Sequence, residues 1–167
     1  MATEAEKILP RVRPHLDGKS VLEIGSGPEK IVPWALSVDH YFKADVKSDV
    51  SPDSGQLRKI LGARQFDVVF SSHTLEHIRA PILETLRYWS SFVKIGGDLI
   101  AYLPDEARYV FNPASPSQRN PEHFHYLTPT TFRWYLDQVA NMRPVTIEED
   151  PVVPNRYSFL VFARRFA

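Results

Sequence analysis

Three short stretches of the sequence carry side chains that can do chemistry. The first is Val21-Leu22-Glu23-Ile24-Gly25-Ser26-Gly27, an apolar run that ends in Gly-x-Gly. A strand with this ending can turn tightly and let a ligand approach its backbone. A dinucleotide fingerprint needs Gly or Ala three residues after the second Gly and an acid about 20 residues further on. Here that position is Lys30, and Asp39 follows only 12 residues after Gly27. The sugar-binding acid fits and the phosphate-binding helix start does not. A plain glycine turn is the competing reading.

The second stretch is His73-Thr74-Leu75-Glu76-His77, which matches the H-x-x-E-H zinc-protease pattern. On a helix, His73 and His77 share a face at i and i+4 and could hold zinc, with His123-Phe124-His125 adding ligands. In the metal-free reading, Glu76 and His77 simply open a helix, where an acid is favoured. The third stretch is the long loop 104–127, with Asp105, Arg108, Tyr109, His123, His125 and Tyr126. Loops of this length in compact domains usually serve function. It reads either as a lid over an acceptor pocket or as a surface loop packing its own aromatics. If the segment is extended, His123 and His125 point to one side. Histidine as a residue type titrates near neutrality, so either suits a general base.

The elements that must position these residues read as α/β. Lys19–Ile24, Ala35–Asp39, Ala44–Asp49, Phe66–Ser71, Asp98–Leu103, Val145–Ile147 and Tyr157–Phe162 have strand patterns. A short helix over 3–9 is expected to stop at Pro10 and Pro14. Further helices are expected over Ser54–Leu61, Pro81–Val93 (ended by Gly96-Gly97) and from Thr128-Pro129 onward. Strands alternating with helices imply a mainly parallel sheet. The last two strands, with no helix between them, imply an antiparallel edge. Ligands of such sheets bind outside the carboxyl ends of the strands.

Composition narrows the function classes. The 167 residues include 20 basic, 20 acidic, 6 His and no Cys, so the formal net charge is zero. One domain over 1–167 is expected, without disulfides, cysteine-ligated zinc or thiol catalysis. Neutral charge argues against a nucleic-acid partner. No apolar run approaches a membrane span, and the polar, acidic first residues carry no secretory pattern, so a cytoplasmic location is expected. Fourteen Pro against seven Gly predict short helices and stiff loops.

The ordered set of motifs resembles the class I S-adenosylmethionine-dependent methyltransferases. The residues that carry the resemblance are Val21–Gly27, Ser37-Val38-Asp39, Phe66–Ile78, Phe92–Ile100 with its Gly96-Gly97, and Pro121–Pro129, spanning 19–163 in order. The resemblance implies a Rossmann-like fold with an antiparallel last strand, and S-adenosylmethionine as cofactor. It places Glu23, Gly25, Ser26 and Gly27 around the methionine end. It gives Asp39 the ribose hydroxyls with His40 beside it, puts Asp49 near the adenine, and sets Ser71, Ser72 and His73 next to the sulfonium. Carboxylates suit both a vicinal diol and a nearby cation. His73, then His77 or His123, is the expected base where the acceptor must lose a proton. No metal ligand is assigned.

Two departures bear on this. The family's third glycine is Glu29 here. Only ten residues, Gly25 to Trp34, separate Ile24 from Ala35, whereas a parallel crossover needs roughly ten to twelve. The first crossover helices should therefore be shortened, with no helix longer than about two turns over 28–34. A second copy of the chain, forming a homodimer, is the expected cover for the bared face near 28–60. The acceptor is expected to be a small molecule or sugar. The alternatives are a catalytically inactive scaffold of the same fold and a metal hydrolase built on His73, Glu76 and His77. A dehydrogenase ranks below both.

Overall fold

Thr3 starts the first helix, α1 (Glu4–Leu16), in the computed structural model, which describes residues 3–109, 120–149 and 157–167. The Thr3 hydroxyl accepts from the Glu6 N–H and the Glu6 carboxylate accepts from the Thr3 N–H, a closed capping box. Ala5, Ile8, Val12 and Leu16 are buried in one stripe. The helix runs through Pro10 and Pro14, contrary to the expected stop. Both prolines lie on the exposed face, so the burial of Val12 and Leu16 outweighs the lost backbone bonds.

The sheet contains β1 (Val21–Ile24), β2 (Leu36–Asp39), β3 (Val46–Lys47), β4 (Phe66–Ser72), β5 (Val93–Pro104), β6 (Met142–Glu149) and β7 (Ser158–Arg165). Their order is β3-β2-β1-β4-β5-β7-β6. β3 to β5 pair parallel, and β7 pairs antiparallel with both β5 and β6. The Rossmann-like sheet with its antiparallel edge is therefore present. No helix occurs over 25–35 or over 40–45, so both early crossovers are reduced to turns. Trp34, Tyr41 and Phe42 stand exposed along this stretch.

Two apolar layers flank the sheet. One face buries Leu57, Leu86, Trp89, Phe132 and Leu136 from α2 (Gln56–Leu61), α3 (Ile82–Ser90) and α5 (Pro129–Asp137). The other face is covered by α1, together with Ile31 and Val32 from the first crossover. Three placements differ from the sequence reading. Gly55, in a left-handed conformation, precedes α2, and Ser54 accepts only a 3.3 Å bond from the Gln56 N–H. The helix at 82 ends at Ser90, and Gly96-Gly97 sits inside β5. A Cβ at Gly97 would lie 2.6 Å from the Asp67 carbonyl oxygen, so strand β4 excludes a side chain there. Between Phe66↔Val93 and Val68↔Asp98 the register jumps, and residues 94–97 form the bulge. Within the loop 104–127 a short helix, α4 (Glu106–Tyr109), forms, while 110–119 lie outside the described residues, as do Pro151 and Pro154. Among the described residues no helix is long and apolar enough to cross a membrane.

Candidate functional site

The carboxyl ends of β1 and β2 meet at a glycine bend. The Gly25 and Ser26 N–H groups both donate to the Val38 carbonyl, at 2.8 and 3.2 Å. Gly25 and Gly27 adopt φ of 71° and 63°, where an L side chain is strained. The two glycines serve different ends. A Cβ at Gly25 would lie 2.0 Å from Thr74 Oγ1, so Thr74 already fills that space. A Cβ at Gly27 would meet nothing, so open space lies above Gly27 and not above Gly25.

Asp39 closes β2 directly beside this bend. Its Oδ2 accepts from the Gly27 N–H at 2.9 Å, and its Oδ1 accepts from the Tyr41 and Phe42 N–H groups at 2.7 and 2.8 Å. The residue is 7% exposed. A carboxylate has about four acceptor directions, so three are used and one on Oδ2 remains beside Gly27. His40 is exposed, its ring edge-on to Tyr41. Asp49 is half-buried and accepts from the Ser51 N–H.

Glu23 works beneath the bend. It is buried, and both carboxylate oxygens take the Ile31 N–H, at 2.9 and 3.0 Å. Lys30 fastens the same loop, donating to the Ala35 carbonyl and to Asp45, which also takes the Ser37 N–H. Burial pushes the Glu23 carboxyl up to about 8. The unfolded chain ionises this group near its ordinary value of 4.5, while the folded chain keeps it protonated to about 8. The folded state thus holds the extra proton between those limits, and its stability falls as pH rises through that window. Thermal unfolding from pH 5 to 8 should show a falling Tm, by the equivalent of about 2–4 kcal/mol from this group. Glu23→Gln should lessen the slope, and an unchanged slope would remove Glu23 as a contributor.

The end of β4 supplies the next residues. Ser71 is buried and its hydroxyl donates to the Ile24 carbonyl at 3.0 Å, so it ties β4 to β1. Ser72 is half-buried, and its Oγ has no hydrogen-bond partner among the described residues. His73 has φ 47°, the only non-glycine residue with positive φ among those described. Its N–H bonds the Tyr102 carbonyl at 2.8 Å, its Nε2 lies 3.1 Å from Ser158 Oγ, and its ring packs edge-on against Tyr102. Burial holds the imidazole down at about 4, so it is neutral at physiological pH.

Beyond His73 the chain makes a 3-10 turn, Leu75–His77, rather than an α-helix. His73 and His77 therefore do not share a helical face. The turn instead brings Glu76 and His77 against His123. The His77 and His123 rings stand 4.8 Å apart, nearly perpendicular. His73 Nδ1 is 3.5 Å and His77 Nε2 is 3.9 Å from Glu76 Oε1. Glu76 is fully buried, and burial pushes its carboxyl up to about 8. His123 is likewise held down at about 4 by burial. His125 stays outside the cluster, its Nε2 at 2.9 Å from the Ala80 carbonyl.

Sequence reasoning missed two contributors. Glu4, at the start of α1, places Oε2 3.9 Å from His73 Nε2 and accepts from the Tyr157 hydroxyl at 3.1 Å. Ser158 meets His73 from β7. The only signal was the Thr3–Glu6 capping pattern, which anchors the helix start without showing what it faces. A separate hollow of about 380 Å³, lined by Arg133, Asp137, Met142 and Arg143, lies at the opposite edge of the sheet, where β6 begins.

Comparison with known proteins identifies a family and a fold. Residues 1–141 match the family model described as a methyltransferase domain. Among curated protein sequences none matches. Three solved structures are similar in fold. The CcbJ methyltransferase of Streptomyces caelestis aligns at TM-score 0.73 and 12% identity, over 99% of this chain and 91% of that one. An S-adenosylmethionine-dependent methyltransferase of Archaeoglobus fulgidus aligns at 0.70 and 20% identity, over 96% and 94%. The Burkholderia thailandensis 1,6-didemethyltoxoflavin-N1-methyltransferase, with 1,6-didemethyltoxoflavin and S-adenosylhomocysteine bound, aligns at TM-score 0.72 and 14% identity, over 99% of this chain and 79% of that one.

Proposed function

The chain belongs to the methyltransferase-domain family, and from that premise we propose that it carries a methyl group from S-adenosylmethionine to a small-molecule or sugar acceptor. The observation that carries the reading is the junction of Gly27 and Asp39. A glycine with open space above it donates to the carboxylate that closes the neighbouring strand, and that carboxylate keeps one acceptor direction free. The donor set fits the nucleoside: an acceptor for ribose hydroxyls, and a backbone bend with room beside it.

When bound, S-adenosylmethionine supplies a carbon that already carries a good leaving group. The chain's own residues supply position, which can account for much of the rate in an in-line displacement. Gly25, Ser26 and Gly27 shape the floor of the crevice. Glu23 acts from below as a positioning residue through the Ile31 N–H. Asp39 takes the ribose, with His40 and Asp49 on the adenine side. Ser71 and Ser72 end the strand at the reacting centre. His73 is the proposed base for an acceptor that must lose a proton, with His77 and His123 as the other candidates. Its ring is neutral at physiological pH, which leaves one imidazole nitrogen as an acceptor.

Calorimetric titration with S-adenosylhomocysteine tests the reading. Saturable binding of one molecule per chain, with a rise in Tm, is the expected result. The fold also supports a scaffold that has lost catalysis, since Thr74 covers Gly25 and both early crossovers are trimmed. No heat and no thermal shift would favour the scaffold.

A further inference from the structure

Two features of the histidine cluster are left over by methyl transfer. Glu76 is sealed from solvent, yet neither carboxylate oxygen has a hydrogen-bond partner among the described residues. His123 is 6% exposed, and its Nδ1 also has none. Buried polar atoms are nearly always bonded, so orphans on two side chains whose ligand atoms lie this close together call for a missing partner. A cation that accepts lone pairs satisfies both at once.

The geometry around the spot suits an ion. One donor atom each from Glu76, His77 and His123 lies within 4.8 Å of the others. Ligands of one tetrahedral ion stand roughly 3.4 Å apart, so a small closure brings all three onto it. The donors are also oriented from outside. His77 Nδ1 donates to the Glu122 carbonyl at 3.0 Å, which leaves the Nε2 lone pair on the Glu76 side. Such outer partners typically fix the tautomer of a metal-bound histidine. The Phe124 and His125 N–H groups bond the Glu76 carbonyl at 2.8 and 3.3 Å and pin the His123 segment over the turn.

We infer that Glu76, His77 and His123 form a mononuclear site for a divalent first-row transition metal. Two imidazoles and one carboxylate without thiolate suit zinc and its neighbours, and three protein ligands leave a position open. The arrangement differs from the hydrolase pattern, in which both histidines of H-x-x-E-H ligate and the glutamate stays free. Here the glutamate ligates and His73 stands aside. Thr74, in the same segment, packs on Gly25 and ties the turn to the glycine bend. The open position would take an oxygen or nitrogen of the acceptor and hold it toward the methyl group. That last role rests on the methyl-transfer reading, whereas the metal site does not. With His77 and His123 as ligands, the base is His73.

Chelator-stripped full-length protein, titrated with zinc chloride in a calorimeter and with cobalt(II) by absorbance, tests the site. One ion per chain and the visible bands of a four- or five-coordinate cobalt centre are expected. Glu76→Gln and His123→Ala should each weaken zinc by roughly 10- to 100-fold. His125→Ala should leave it unchanged, and circular dichroism establishes that each variant is folded. Wild-type protein that binds no zinc, or an equal loss in the His123 and His125 variants, overturns the site. S-adenosylhomocysteine binding on the same stripped sample separates the two readings. Nucleoside binding without zinc binding ends the metal site alone. Zinc binding without nucleoside binding supports the metal site and ends the methyl-transfer reading.

Discussion

Asp39→Ala is expected to weaken S-adenosylhomocysteine binding by roughly 10- to 100-fold, with the chain still folded. A hydrogen bond to a charged acceptor contributes about 1.5–3 kcal/mol, and each 1.4 kcal/mol is tenfold in affinity. The substitution removes the proposed ribose acceptor. It also releases the Gly27, Tyr41 and Phe42 N–H groups, so the bend loses the anchor that holds it open. Asp39→Asn separates these effects. It keeps one oxygen for Tyr41 and Phe42 but turns an amide toward Gly27. Affinity close to that of alanine would assign the loss to the Gly27 side. Unchanged calorimetric binding in Asp39→Ala would reject the ribose assignment outright.

Glu76→Met should raise the stability of the chelator-stripped protein and end methyl transfer by the zinc-loaded one. The substitution keeps the length of the side chain and replaces a buried, unpartnered carboxyl with an apolar group. Exchanging a buried, unbonded polar group for well-packed apolar atoms removes a desolvation cost of about 1–3 kcal/mol. For a chain of this size that is a rise of about 2–4 °C in Tm per kcal/mol. The sign with pH follows from the raised carboxyl. The unfolded chain releases the proton near 4.5 and the folded chain near 8, so wild-type stability falls across that interval and the variant's advantage grows with it. Thermal unfolding at pH 5 and pH 8 reads both. A lower Tm in the variant at pH 8 would mean that the carboxylate is already well partnered in the metal-free chain.

The sequence made the glycine bend and the strand-closing Asp39 legible because their determinants are local. Gly25 and Gly27 follow an apolar strand directly, and Asp39 ends the next one, so period and punctuation suffice. The ten residues between the two strands expected from the sequence left room for no helix beyond about two turns, and none formed over 25–35. Elsewhere tertiary packing overrode local signals. Pro10 and Pro14 read as stops because sequence alone does not show that both face outward while Val12 and Leu16 hold the helix on. Gly96-Gly97 read as a helix end, but it lies in the bulge of β5, where a Cβ on Gly97 would meet the Asp67 carbonyl. The histidine cluster was legible only in pieces. His73, Glu76 and His77 are near neighbours in sequence, but their sharing a face depended on an α-helix that is a single 3-10 turn. His123 joins them through backbone bonds to Glu76 that no side-chain pattern announces. Glu4 reaches His73 from the far end of the chain.

The most direct test of the account is a crystal structure with S-adenosylhomocysteine. It should show the ribose hydroxyls within hydrogen-bond distance of Asp39 Oδ2, the nucleoside over Gly27, and the sulfur facing the His73 end of β4. An empty crevice in crystals grown with saturating nucleoside, or a nucleoside seated away from Asp39, would contradict it.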